Sequence, residues 1–480
     1  MVQCHHMAFR QRVFSRKNSA SENAPAWWEK VVEQSDFELV GSQKISATDW
    51  MEFVEQQMAA EKRSRRPALG KIPARSADAP LVLEGVRVAD FSRMLAGPLC
   101  TQELADLGAE VLKIEVPGTG DDSRNYTAMK LDGEDAVFLS ANRNKKSIIL
   151  DLKTDAGLEL ARKIIAKSDV LVENFSNGVM ERLGLDYDRV REINPNIVYC
   201  SVCGFGRDDD GPPRRGYDTI FQASTGLMSL SGPSHQPYRT IVPVVDVATA
   251  QTATTAILAA LIARQNTGKG QFVEVVMFDV AAYMLSMYGM GFLISGEILP
   301  RHGNRSPRMA PSDVYETEDG PIFVSCNNER LFPLLCEKGL SRPDIACDPR
   351  FVNNDERVKN IEVLTELLNG AFRSRSRAYW LERFLKFGIP AAPIATVAEG
   401  LLSADAQRRG IVGEVPHPRV GTVPTIRSPF RLSETPTADP VAPPLLGQHT
   451  DDVLRGLLKL DEDEISTLQA AGAFGAATTG

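Results

Sequence analysis

Val86-Arg87-Val88-Ala89-Asp90-Phe91, then Ala96-Gly97-Pro98, then Ala109-Glu110-Val111-Leu112-Lys113-Ile114-Glu115 form one unit that decides the fold. The first and last stretches are short, rich in β-branched residues and bounded by polar segments, so they read as strands. Pro98 falls in the first turn of the intervening helix, where a missing N–H does no harm, and Leu107-Gly108 ends that helix with a glycine suited to a C-cap. Further units follow: a strand over Ser147 to Leu152, a helix over Asp155 to Lys167, a strand at Val170-Leu171-Val172, a helix near Val179 to Leu183 and a strand over Ile197 to Val202. Strands alternating with helices predict an α/β fold whose mostly parallel sheet is covered on both faces. The turn after the first strand lacks the G-x-G-x-x-G spacing, so no dinucleotide is expected there.

At 480 residues the chain is too long for one simple core and reads as two or three domains. Hydrophobic content of 43% with 24% charged residues is that of a soluble globular protein. A net charge of −8 argues against a general nucleic-acid binder. The basic clusters Arg143 with Lys145 and Lys146, and Arg214 with Arg215, suit a phosphorylated small molecule better than a polymer. No apolar run reads as long enough to span a bilayer, and no membrane partner is expected. Cys200 and Cys203 stand three apart on a strand and so face opposite sides, and no second cysteine pair completes a zinc site. A reducing compartment and no metal are the resulting expectations.

The opening residues stand apart. Met1 to Ser21 carries Arg10, Arg12, Arg16 and Lys17 without an acidic residue. A mitochondrial presequence, hence a matrix location, and a cytoplasmic start both fit this pattern. Helical patterns around Trp27 to Gln34 and Ala47 to Lys62 precede a basic, Pro-containing linker over Lys62 to Pro80.

Asp246 is the most informative single residue. It lies in Pro243-Val244-Val245-Asp246-Val247-Ala248, just ahead of a helix read as Thr252 to Arg264. Burying a carboxylate among Val and Ala is unfavourable unless it is paired, and such carboxylates concentrate where chemistry is done. The competing reading is a helix N-cap. Beyond it, Phe272 to Met277 reads as a strand, and after a break at Arg301 to Pro311 a hairpin appears over Ser312 to Glu316 and Ile322 to Ser325, turned by Glu318-Asp319-Gly320. Helices continue to about Phe387 and complete a smaller α+β domain. The tail from Pro416 reads as extended, before a last helical stretch near Asp461 to Ala471.

Several stretches in order resemble one family, the class III CoA-transferases, which also hold an α-methylacyl-CoA racemase branch. They are Leu83 to Val88, Ala96-Gly97-Pro98, Leu104 to Val111 with Lys113 and Glu115, Asn142 to Ser147, Asp169-Val170 with Glu173-Asn174-Phe175, Thr267 to Gln271, and Pro444 to Thr450. The resemblance runs from about residue 81 to 460 and implies an interlocked homodimer. Each chain would have a large Rossmann-like domain with its parallel sheet built from both chain ends, plus the smaller α+β domain. The implied division is an extension over 1–80, a large CoA-binding domain over 81–300, a small domain over 301–400 and a returning segment over 401–480. It also implies a catalytic aspartate at Asp246, coenzyme A thioesters and carboxylic acids as substrates, and no tightly bound cofactor.

By position, the resemblance maps CoA binding onto Arg93, Met94, Leu95 and Ala96, onto Leu150 and Lys153, onto Asn174 and Phe175, and onto Arg182, Arg215 and Tyr217. Cationic side chains pair with phosphates, and Phe175 offers an apolar face to adenine. Some members carry an Arg where this chain has Val116. The racemase branch uses a His–Asp motif where this chain has Gly216-Tyr217-Asp218, and a Tyr replaces a His poorly as a base. Transferase chemistry is therefore favoured, with Asp218 read as a turn residue or helix cap. Arg301, His302 and Arg305 are candidates for the second carboxylate of a dicarboxylic acceptor. The closest resemblance in feel is to transferases using succinyl-CoA with dicarboxylates. An acyl-CoA racemase and a non-catalytic acyl-CoA-binding protein remain as alternatives.

Overall fold

The computed structural model describes residues 66–70, 72–207 and 214–475. The chain divides into two compact units, Met1–Ala68 and Leu69–Gly480, and the second holds all the described secondary structure. The presequence-like start and the two helical patterns before Lys62 lie outside the described residues.

Six strands make the main sheet: β1 (Arg87–Asp90), β2 (Glu110–Glu115), β3 (Lys145–Ile149), β4 (Val170–Glu173), β5 (Val198–Cys203) and β6 (Gln271–Val276). They lie in the order β3-β2-β1-β4-β5-β6, and every neighbouring pair is parallel. This is a doubly wound arrangement whose strand order reverses between β1 and β4, the place where such sheets open a crevice at their carboxyl edge. Period-two alternation fills both faces. Val88, Val111, Val170, Val172 and Cys200 enter one core, and Ala89, Leu112, Leu171 and Tyr199 enter the other.

Helix α1 (Ala96–Asp106) returns from β1 to β2, and α2 (Asp155–Ala166) covers the opposite face, its first turn capped by Thr154 accepting the Gly157 N–H at 3.0 Å. Helix α3 (Asp218–Ser224) precedes the long helix α4 (Val244–Thr267), which Gly268 ends with a φ of 70°. The expected helix over Thr252 to Arg264 thus begins two turns earlier, because Asp246 does not break it. At 24 residues α4 is long and apolar enough to cross a bilayer by length and composition, which corrects the reading that no run was. Its buried residues, among them Ala250, Ala253, Ile257 and Leu261, belong to the core it shares with α1 and β5. Helices α5 (Met277–Met284) and α6 (Ser286–Ser295) follow β6 with a bend of 71° between them.

A second, antiparallel sheet of β7 (Ser312–Glu316), β8 (Pro321–Ser325) and β9 (Ala391–Pro393) has its own core around Tyr315, Ile322, Phe372, Trp380 and Phe384. The extended tail read from Pro416 is instead a hairpin of β10 (Val412–His417) and β11 (Gly421–Ile426). Pro416 and Pro424 fit there because both strands of a two-stranded ribbon are edges. The described part of the linker runs beside it, with Arg427 donating to the Pro73 carbonyl at 3.4 Å and the Arg75 N–H to Asp439 at 2.9 Å.

The large domain does draw on both chain ends, but all six strands come from 87–276. The C-terminal segment supplies cover: Val453, Leu454 and Ile465 enter the second core. Ahead of them, Gly447 donates to Ser147 Oγ at 2.8 Å and Thr450 Oγ1 accepts the Ile149 N–H at 3.1 Å. The Pro444 to Thr450 motif therefore occupies the hydrogen-bonding edge of β3, which would otherwise be an open template for another strand.

Candidate active site

The crevice between β1 and β4 is built on an ionic scaffold. Asp90, at the end of β1, is fully buried; its carboxylate accepts from Thr101 Oγ1 at 2.7 Å and from Lys145 Nζ at 3.1 Å, and from the Ser92 N–H at 2.9 Å. Burial opposes its charge, but Lys145 and Lys113 hold its pKa below the usual carboxylate range. Lys113 Nζ donates to the Ser92 carbonyl at 2.9 Å and pairs with Asp121 at 2.7 Å. Asp121 in turn accepts the Met94 N–H at 3.1 Å, and Met94 has a φ of 67°, a left-handed conformation that a non-glycine residue keeps only when its surroundings fix it. Across the crevice the Asn174 side chain accepts from the Arg93 N–H and donates to the Arg93 carbonyl, both at 2.8 Å. The Arg93 guanidinium lies 5.1 Å from the Phe175 ring centre. Gly97 is required here, since a Cβ would fall 2.4 Å from that of Ser92.

Asp246 stands in the first turn of α4 and is not its N-cap, a position held by Pro243. Both α1 and α4 run back from the carboxyl edge of the sheet, because β2 and β6 are parallel to β1. Thr254, two turns below Asp246, donates to Glu103 of α1 at 2.8 Å, so the two helix starts share that edge. Among the described residues nothing donates a hydrogen bond to the Asp246 carboxylate. Burial, and then the charge of Asp218, push its pKa up to about 7. The cap that Pro243 cannot supply comes from Asp218, whose Oδ1 accepts the Val245 N–H at 2.7 Å and the Asp246 N–H at 3.4 Å.

The residues expected from sequence fall into three groups. Arg93, Met94, Leu95 and Ala96 meet Asn174 and Phe175 at the switch point. Lys153, Arg182 and Arg215 are exposed cations, and Tyr217 is 67% exposed just ahead of α3. Leu150 has its side chain in the second core, so only its backbone is free to face a ligand. Arg301 donates to the carbonyls of Pro233 at 3.0 Å and Ser234 at 2.7 Å, and Arg305 pairs with Asp313 at 3.3 Å and Glu362 at 2.7 Å. His302 is exposed.

The profile of CoA-transferase family III matches residues 83–450. The chain belongs to this family. A succinyl-CoA:glutarate CoA-transferase of Mus musculus is 36% identical over 401 residues, covering 83% of this chain and 92% of its own length. An acetyl-CoA:oxalate CoA-transferase of Acetobacter aceti is 39% identical over 319 residues, 66% of this chain and 81% of the relative. Among solved structures, a CaiB/BaiF family protein from Brucella suis matches with a TM-score of 0.72 and 35% identity, covering 79% of this chain and 100% of that one.

For a family III CoA-transferase the substrates are CoA thioesters. Two parts of the site escaped the sequence reading. The scaffold of Asp90, Lys113, Asp121 and Lys145 was signalled by Lys113, which strand alternation places on the side of Val111, opposite Leu112 and Ile114, in a strand apolar on both faces. The reach of Asp218 to the start of α4 joins positions too far apart for any local pattern.

Proposed function

We propose that this CoA-transferase moves CoA from an acyl-CoA donor, succinyl-CoA foremost, to a free dicarboxylic acid, with Asp246 as covalent nucleophile. One observation carries the reading: a partly buried carboxylate, without a hydrogen-bond donor among the described residues, stands in the first turn of a helix that starts at the carboxyl edge of the sheet. The relatives named for glutarate and oxalate support the acceptor class. A poorly solvated carboxylate with a raised pKa is a better nucleophile than one in water.

In this reading the Asp246 oxygen adds to the thioester carbonyl and the C–S bond breaks, giving a mixed anhydride and CoA thiolate. The thiolate attacks the aspartyl carbonyl, releases the donor acid as its carboxylate and leaves an aspartyl-CoA thioester. The incoming carboxylate displaces the thiolate to form a second anhydride. Attack of the thiolate on the acyl carbonyl then gives the new thioester and restores the Asp246 carboxylate. No water is consumed and no net proton moves, so the energy of the thioester is conserved across covalent steps. The CoA lies along the switch point, with Phe175 against adenine and Arg93, Lys153, Arg182 and Arg215 as cations for its phosphates.

The same reading takes the working form as an interlocked homodimer. Tyr283, Leu293 and Ile294 on α5 and α6 are 81%, 75% and 80% exposed, apolar surface of the kind a second chain buries. Charged replacements at Leu293 and Ile294 should yield a monomer in sedimentation, and a wild-type protein sedimenting as a monomer overturns this part.

The test of the chemistry is direct. Incubation with succinyl-CoA followed by borohydride should reduce the aspartyl thioester and change the mass of the Asp246 peptide, with no change in Asp246→Ala. Turnover of succinyl-CoA with glutarate by Asp246→Ala would refute the nucleophile. A panel of acids read by mass spectrometry assigns the acceptor.

A further inference from the structure

The start of α4 is held by a device that no local sequence pattern supplies. Beyond capping Val245 and Asp246 with Oδ1, Asp218 uses Oδ2 to accept from Gln222 Nε2 at 2.5 Å, one turn along α3. Gln222 then grips the loop that leads into α4: its Oε1 accepts the Thr240 N–H at 3.0 Å and its Nε2 donates to the Thr240 carbonyl at 3.2 Å. Both side chains are buried, Asp218 at 8% and Gln222 at 1% exposure. Helix α3 and the stretch that runs from Thr240 into α4 are thereby closed into one clasp, with every polar atom of the two side chains given a partner. We propose that Asp218 and Gln222 are positioning residues that fix the first turn of α4, and with it Asp246, for attack on the thioester. This rests on the reading of Asp246 as nucleophile.

The geometry explains why an Asp is used where a Ser or Asn would cap equally well. The cap must accept from two N–H groups with one oxygen and from an amide with the other, and only a carboxylate offers acceptors alone. Its charge also acts on the group it positions. Titratable or charged groups on elements packed against Asp246 or leading into it include Glu103 on α1, Asp279 on α5, Tyr217 ahead of α3, and His235 and Arg239 before α4. Among the described residues only Asp218 acts on the Asp246 carboxyl.

Three variants test this with succinyl-CoA and glutarate as the probe pair, each checked by thermal melting. Asp218→Asn keeps one oxygen to cap Val245 but removes the charge, so the acid limb of kcat/KM between about pH 5 and pH 9 should move to lower pH. A residue with only a structural role would leave that limb in place. Gln222→Ala releases Thr240 and should lower kcat about tenfold or more with KM for succinyl-CoA unchanged, and Gln222→Glu, which turns an acceptor towards Asp218 Oδ2 where the amide donated, should not restore it. If Asp246→Ala is dead while Asp218→Asn keeps the wild-type profile and Gln222→Ala the wild-type kcat, the clasp has no positioning role. Turnover by Asp246→Ala overturns the nucleophile and this inference together.

Discussion

The Met94 N–H donates to Asp121 Oδ1 across 3.1 Å while Lys113 Nζ stands 2.7 Å from the other oxygen. One buried carboxylate thus holds the left-handed turn of the crevice loop and neutralises a lysine that sheet alternation puts in the core. Lys113, foremost among the groups that oppose burial, draws the Asp121 pKa down to about 2. Asp121→Ala leaves that lysine buried and unpaired, a change that costs about 3–5 kcal/mol in comparable sites. The expected outcome is a large fall in Tm. The milder Asp121→Asn should fold and raise KM for the acyl-CoA more than it lowers kcat. Equal loss in both parameters would show that the loop serves chemistry and not binding.

Asp246 has a folded pKa of about 7 against an ordinary 3.8. The folded chain therefore binds more protons than the unfolded chain between those values, and the stability contributed by this group falls as pH rises from about 4 to about 7. Above that window the ionised carboxylate is a standing cost. Asp246→Asn should raise stability by about 2 kcal/mol at pH 8 and by visibly less at pH 5, read from urea midpoints. Activity runs the other way: kcat/KM should drop as pH falls below about 7, with the protonated acid unable to attack. A variant no more stable than wild type at pH 8 would mean that the carboxylate is solvated.

Asn174 ties the loop after β1 to the loop after β4 by two bonds to Arg93. Asn174→Ala removes both and should raise KM for succinyl-CoA about tenfold, the equivalent of about 1.4 kcal/mol. Gly97→Ala brings a methyl against Ser92 from the other side. It should destabilise the fold by about 1–3 kcal/mol and weaken CoA binding in parallel, measured by calorimetry.

The α/β plan was legible because it rests on local physics. Val88 with Ala89, and Val170 to Val172, read as strands buried on both faces, and Gly108 marks a helix end whatever the rest of the chain does. The strand order was not legible, since nothing in β4 states that it neighbours β1. Val412 to Ile426 was hidden by its prolines, which argue against a strand unless its edge position is known. At the site, Asp246 could be singled out by an apolar context contained in six residues. Asp218 could be seen only as a cap, without the helix it caps. Arg301 and Arg305 stand in a loop that reads in sequence as basic and unpartnered, because their partners Ser234 and Glu362 lie 67 and 57 positions away.

Those partners set a separate expectation for each arginine. The Arg305 guanidinium bridges Asp313 of β7 and Glu362, and burial removes part of its surface, so it is shaped to brace the small domain. Arg305→Ala should lower stability by about 1 kcal/mol, a modest figure because Glu362 is mostly exposed. It should leave the ratio of KM for glutarate to KM for a monocarboxylic acid unchanged. Arg301→Ala frees the carbonyls of Pro233 and Ser234, in the loop that Thr240 continues towards Asp246, and should lower kcat without altering that ratio. Among the described residues the His302 side chain has no such engagement, so a dicarboxylate preference read by this segment should respond to His302→Ala. Collapse of the preference in Arg305→Ala, with the melting temperature unmoved, would return the second carboxylate to Arg305.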